Sequence, residues 1–200
     1  MKKILSFFLV SAMMITMCTT AFAATSTDTG NKIDQKIAEL QGKQQKISDR
    51  KVAVEAKLGK LAAKQNLSPF KQLVNENLTT VITNQESNLT ALEQCNQIRL
   101  SIAQNLQSIK NSKQLLSDDT KTQLKSYNAQ IKEIMSTMKD TKGQNKLLAK
   151  QNKTNIKNKD EAAIEDTFQQ INSIQTARYD QIIEMNDILT QINTLLTQSL

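Results

Sequence analysis

The sequence predicts an all-α chain, an elongated antiparallel coiled coil or up-down bundle of about four long helices. Three observations carry this expectation. The 200 residues include one proline and four glycines, too few turn formers for a turn-rich all-β or α/β fold. From Asn31 onward apolar residues recur at three-and-four spacing, the period of a helix buried on one face. The remainder is rich in Lys, Gln and Asn, which suits solvated helix faces.

The elements follow in order. Residues 1–23 have the three parts of an export signal. Lys2 and Lys3 make a charged start, Ile4 to Met17 an apolar run, and Ala21-Phe22-Ala23 a small-x-small cleavage pattern. The short basic start looks bacterial. The apolar run falls short of the ~20 residues of a spanning helix. Met17 is too large to precede a lipidated Cys18. A cut after Ala23 is expected, leaving a secreted or cell-wall/envelope-associated chain. Residues 24–30, ATSTDTG, read as a flexible leader.

Residues 31–200 are expected to be helical. A first helix over about 31–65 carries the seam Ile33, Ile37, Leu40, Gln44, Ile47, Lys51, Val54, Leu58, Leu61, with seven of nine positions apolar. Ser68-Pro69 suits a cap and first helical position. It opens a second helix over 69–116, with Leu78, Val81, Leu92, Cys95, Ile102, Leu106 and Ile109 on one seam. An eleven-residue alternative, Leu67, Leu78, Leu89, Leu100, also fits. Ser117-Asp118-Asp119 caps a third helix over 118–151, whose apolar seam (Leu124, Tyr127, Ile131, Ile134, Met138) fades after Met138. Asn158 with Glu161 resembles a capping box before a fourth helix over 160–199. That helix carries Ile164, Phe168, Ile171, Ile174, Ile182, Met185, Leu189, Ile192 and Leu196, with Ile188 and Leu195 widening the stripe. A wide stripe suits packing against two neighbours.

Composition excludes much chemistry. The chain has no histidine, so histidine-based nucleophile systems and histidine zinc sites are out. Two cysteines cannot build a four-thiolate metal site. Neither GxGxxG nor GxxxxGK[ST] occurs. No enzyme, metal, cofactor or small-molecule substrate is expected. Low aromatic content, 4%, argues against stacked bases, and nucleic acid is not an expected partner. Carboxylate pairs such as Glu161/Glu165 and Asp180/Glu184 read as solvated helix charges. Asn66, Asn77, Asn88 and Asn152 sit in N-x-[ST] patterns that a chain rich in these residues produces by chance.

Charge supplies the sharpest feature. There are 26 Lys and Arg against 19 Asp and Glu. Lys139, Lys142, Lys146, Lys150, Lys153 and Lys157 are spaced to share one helix face, with Asp140 the sole acid from Lys139 to Lys159. Such repulsion opposes helix formation. A hairpin turning near Lys159 would bring Asp160, Glu161, Glu165 and Asp166 beside Lys150, Lys153 and Lys157. It would leave Lys139, Lys142 and Lys146 opposite Arg178, Gln175 and Ile171. Lys139, Lys142, Lys146 and Lys150 are therefore the anion-binding candidates, with an anionic lipid or wall polymer as ligand. Cys95 falls on a seam. It reads as a small core residue, with an intermolecular disulfide as the alternative.

The Lys/Gln-rich heptads from Lys32 to Lys64, after an export signal and a Thr/Ser leader, resemble the coiled-coil regions of bacterial envelope proteins, including those that precede peptidoglycan hydrolase domains. The resemblance covers about the first third of the chain. The Cys/His or metal-binding histidines that such hydrolases need are missing, so it implies location and architecture without an activity. The expected function is an exported, non-catalytic coiled-coil scaffold of the cell envelope, with a protein partner or self-association through helical seams. An extracytoplasmic holdase chaperone or adaptor with a basic helical surface is the alternative.

Overall fold

Four long helices make up nearly all of residues 27–200, which a computed structural model describes. They are α1 (Thr27–Ala62), α2 (Pro69–Asn111), α3 (Asp118–Asn158) and α4 (Glu161–Thr197), with no strand among the described residues. The expected signal segment and cleavage point lie outside the described residues.

The helix ends follow from local chemistry. The α1 helix begins at Thr27, four residues before the expected Asn31. Thr27 and Asp28 are residue types that favour an N-terminal turn. Pro69 opens α2, where the Ser68 carbonyl accepts the Gln72 N–H at 2.9 Å. At α3, Ser117 Oγ accepts the Thr120 N–H at 3.1 Å, the N-cap bond expected of it. The fourth helix is capped by Asp160 rather than Asn158. Asp160 Oδ1 accepts the Ala163 N–H at 3.1 Å, while Asn158 is still inside α3.

Two C-termini differ from the expected bounds for one reason. α2 stops at Asn111, short of Leu116, and α3 runs on to Asn158, past residue 151. Each closes where a lysine takes left-handed backbone, Lys113 and Lys159 both at φ 55°. At the first, Gln114 N–H reaches Ile109 carbonyl and Lys113 N–H reaches Lys110 carbonyl, both at 3.1 Å. At the second, Asp160 N–H reaches Asn155 carbonyl (3.1 Å) and Lys159 N–H reaches Ile156 carbonyl (3.3 Å). This double closure ends a helix whatever the following sequence would support.

Burial recurs every seven residues. On α1, Ile33, Leu40, Ile47, Val54 and Leu61 are all buried, and Ile37, Gln44, Lys51 and Leu58 are all half-buried. On α2, the buried series is Val81, Asn88, Cys95, Ile102 and Ile109. The eleven-residue series fits less well, because Leu67, Leu78 and Leu100 are only half-buried. On α3, Leu124, Ile131 and Met138 are followed at the same interval by half-buried Asn145 and buried Asn152. The inward face therefore continues after Met138, with amides in place of apolar side chains. Two such series run along α4, one through Phe168, Gln175, Ile182, Leu189 and Leu196, the other through Ile164, Ile171, Met185 and Ile192 with half-buried Arg178 at the intervening position.

The chain packs as two units, each taking a stretch of every helix. One comprises residues up to Gln45, Gln94–Thr137 and Glu184–Leu200. Here Asn96 Nδ2 donates to the Leu40 carbonyl (2.9 Å) and Gln44 Oε1 (2.8 Å), joining α1 to α2. Asn105 Nδ2 donates to Asn193 Oδ1 and Thr197 Oγ1, both at 3.0 Å, joining α2 to α4. Leu116, in the α2–α3 connection, is buried.

The other unit comprises Lys46–Glu93 and Met138–Ile183. Its core gathers Val81, Ile164, Phe168 and Ile171, with Phe70, Val74, Leu78, Leu148 and Ile156 against them. Within it α1 and α2 run in opposite directions, fixed by Lys51–Glu93 (2.7 Å) and by Asn75 Nδ2 on the Leu61 carbonyl (3.3 Å). α2 and α4 run in the same direction. Asn84 Nδ2 donates to Asn172 Oδ1 (3.2 Å), and Asn88 Nδ2 donates to the Gln175 carbonyl (3.0 Å). α3 turns back on α4, where Asn155 Nδ2 reaches the Ala163 carbonyl and Thr167 Oγ1, both at 3.1 Å.

Candidate anion-binding face

The α3 stretch from Met138 to Asn158 has two chemically distinct sides. Leu148, Ile156, Asn145 and Asn152 turn inward and fix the helix's rotation. At 100° per residue the six lysine positions lie within about 80° of one another, turned away from that inward face. Lys139, Lys146, Lys150, Lys153 and Lys157 are accordingly all exposed. The Lys142 side chain lies outside the described residues, though its backbone position falls on the same line. From Lys139 to Lys157 the row runs about 27 Å at 1.5 Å per residue.

The acids of α4 form no ion pair with the described lysines of this row. None of the five described lysines makes an ion pair within 4 Å among the described residues. The expected pairing of Lys150, Lys153 and Lys157 with the start of α4 is therefore not formed. Asp160 is turned to its capping bond, and Asp166 Oδ2 accepts from Gln170 Nε2 at 2.8 Å. Glu161 and Glu165 are exposed on α4. Gln175 and Ile171, expected opposite the other lysines, are buried. They belong to the core, whereas the lysines point away from it.

Two arginines meet elsewhere in the same unit. Burial pushes the half-buried Arg178 guanidinium below its ordinary pKa, and repulsion from Arg50 adds to the shift. Sequence reasoning placed Arg178 but missed Arg50. The two are brought together by packing between α1 and α4, which no local spacing reveals. Residues 46–93 and 138–183 hold fifteen Lys and Arg against eleven Asp and Glu.

Four lysines elsewhere, Lys36, Lys43, Lys51 and Lys121, do meet carboxylates. Glu39 accepts from Lys36 at 2.9 Å and from Lys43 at 2.6 Å. Burial raises the Glu39 pKa, but the two lysine bonds outweigh it and the carboxyl is held below its ordinary value. Burial drives Lys43 down, and repulsion from Lys36 and Arg99 assists. Its bond to Glu39 opposes the fall without cancelling it. The Lys36-Glu39-Lys43 spacing of three and four places both lysines on the side of the carboxylate.

Cys95 is buried in the unit that holds Gln94–Thr137, and burial pushes its thiol pKa up while Arg99 pulls weakly the other way. Asn88 and Asn152, two of the N-x-[ST] positions, are buried as well. Among the described residues there is no group of three or more metal-ligating Cys, Asp or Glu, and no helix is long and apolar enough to cross a membrane. Comparison with protein-family models, curated proteins and solved structures finds no match to this chain.

Proposed function

We propose that this protein is an exported, non-catalytic helical scaffold of the bacterial cell envelope, acting by binding through helix surfaces. One observation carries the reading. A packed helix holds five described lysines outward on one face, with Asp140 the sole acid between them in sequence and no ion pair among the described residues. Unpaired like charge at helical spacing opposes the helix that carries it, and an external anion offsets that cost. The sequence pattern of an export signal supports the envelope as the place where such an anion is met.

Fractionation of the native host tests this. The exported chain should sediment with the envelope at low salt and elute as salt rises, since exposed charge interactions are screened within about 8–10 Å at physiological ionic strength. Substituting Lys139, Lys142 and Lys146 by Gln should reduce retention. Full recovery in the soluble medium at low salt would reject the scaffold reading. Suppression of client aggregation by a stable oligomer would point to the holdase alternative.

A further inference from the structure

We propose that the lysine row of α3 is a binding site for a linear, phosphate-bearing polyanion, one chain lying along the helix, rather than for a membrane surface. The inference deepens the scaffold reading and rests on it for the place where such a polymer is met.

Shape separates the two ligands. A helix that binds a bilayer buries an apolar face at the headgroup boundary. In α3 that face is already committed, because Leu148 and Ile156 pack against the core of their own unit. The positions between and beside the lysines include Gly143, Gln144, Gln151 and Thr154, all exposed. Leu147 is the large apolar residue exposed on this stretch, and it sits on one flank, about 60° from Lys150 at 100° per residue. One leucine offers little to insert. The charged surface is thus a row of ammonium groups about 27 Å long, with largely polar edges broken by one leucine.

Spacing suits a polymer with regularly placed charges. Successive lysines from Lys146 to Lys157 advance three or four residues, or about 4.5–6 Å along the axis. Each ammonium is a compact point charge with three donors on a flexible stem. It can follow successive phosphates without demanding one fixed ligand geometry. Rigid bidentate recognition would call for arginine; the row contains only lysine. The predicted selectivity is therefore for charge density along a line, with little discrimination of the units between phosphates.

Rotation of the row is not left to chance. Asn155 anchors the end of α3 to α4 through the Ala163 carbonyl and Thr167 hydroxyl. The Schellman-type closure at Lys159 fixes the turn that follows. The row is presented on a helix that packing holds, so a ligand need order only the lysine side chains.

The test is a titration of the exported chain with synthetic poly(glycerol phosphate), beside vesicles of phosphatidylglycerol and phosphatidylcholine. The comparison variant is Lys146→Gln, Lys150→Gln, Lys153→Gln. The control, Lys57→Gln, Lys60→Gln, Lys64→Gln, removes the same charge from exposed positions of the same unit. Circular dichroism should show the row variant to be as helical as the parent, since it removes only repulsion. Polymer affinity should fall at least about tenfold in the row variant and less than about threefold in the control. Equal losses in both variants would overturn the proposal in favour of net charge alone. Binding to vesicles without binding to polymer would overturn it in favour of a membrane surface. Binding to neither would also overturn it, whereas envelope retention surviving in the row variant would leave the scaffold reading standing alone.

Discussion

Asn96 and Asn88 are both buried amides on α2, and they should respond oppositely to substitution. Asn96 joins two helices through the Leu40 carbonyl and Gln44. Asn96→Ala removes both bonds and should cost about 1–3 kcal/mol. Asn88 Nδ2 donates to carbonyls of Asn84 and Gln175, while its Oδ1 has no partner among the described residues. Asn88→Leu should be within about 1 kcal/mol of the parent or more stable, because a buried unmet acceptor is removed with the bonds. Urea unfolding midpoints check both. Cys95 should resist thiol reagents in the folded chain and react on unfolding, since burial disfavours its thiolate. A disulfide-linked dimer of the exported protein on a non-reducing gel would contradict this. Glu39 predicts an acid-side effect. Its folded pKa lies below the ordinary 4.5, so its contribution is present above that value and lost as pH falls through the lowered one. Glu39→Gln should narrow the loss of stability between about pH 6 and pH 3, read by urea midpoints at the two pH values. Residue-scale chemistry was only partly legible in the sequence. Gln44 and Lys51 looked like flaws in an apolar seam. In the fold, Gln44 accepts from Asn96 and Lys51 pairs with Glu93, partners that only helix packing brings near.

At the scale of elements, the helix periods were legible because burial on one face imposes a repeat on composition. The end of α3 was not. Its apolar signal fades after Met138, yet the inward face continues through Asn145 and Asn152. A hydrophobic pattern cannot report a face lined with amides. The closures at Lys113 and Lys159 were hidden too, because lysine is not the residue that left-handed backbone advertises. They lead to a prediction. Lys159→Gly should stabilise the chain by about 0.5–1 kcal/mol, the left-handed penalty outweighing the entropy lost by glycine. The helical glycines give the converse. Gly42, Gly59 and Gly143 have nothing within 4 Å of an added Cβ. Alanine at each should therefore add about 0.5–1 kcal/mol through helix propensity. Thermal melts of the single and triple variants measure both effects, and a lowered Tm would mean that these helices are limited by something other than their own propensity.

At the scale of the whole molecule, the sequence showed where charge is concentrated but not how packing would dispose of it. The sequence alone suggested that half the lysine row would be met by acids after the turn. The fold keeps those acids on α4 and turns the lysines away from the core, leaving all five described members exposed and without ion pairs among the described residues. The imbalance is local. Residues 27–45, 94–137 and 184–200 hold nine Lys and Arg against eight acids, whereas residues 46–93 and 138–183 hold fifteen against eleven. The central claim is that this excess works as one row on one polymer chain. The most direct measurement is the salt dependence of poly(glycerol phosphate) binding. Six lysines engaged by a single-stranded polyanion predict a slope of about −4 in log affinity against log salt concentration, at roughly 0.7 per neutralised phosphate. Removing three of them should bring the slope to about −2. A slope near −1, unchanged by the substitutions, would contradict the account.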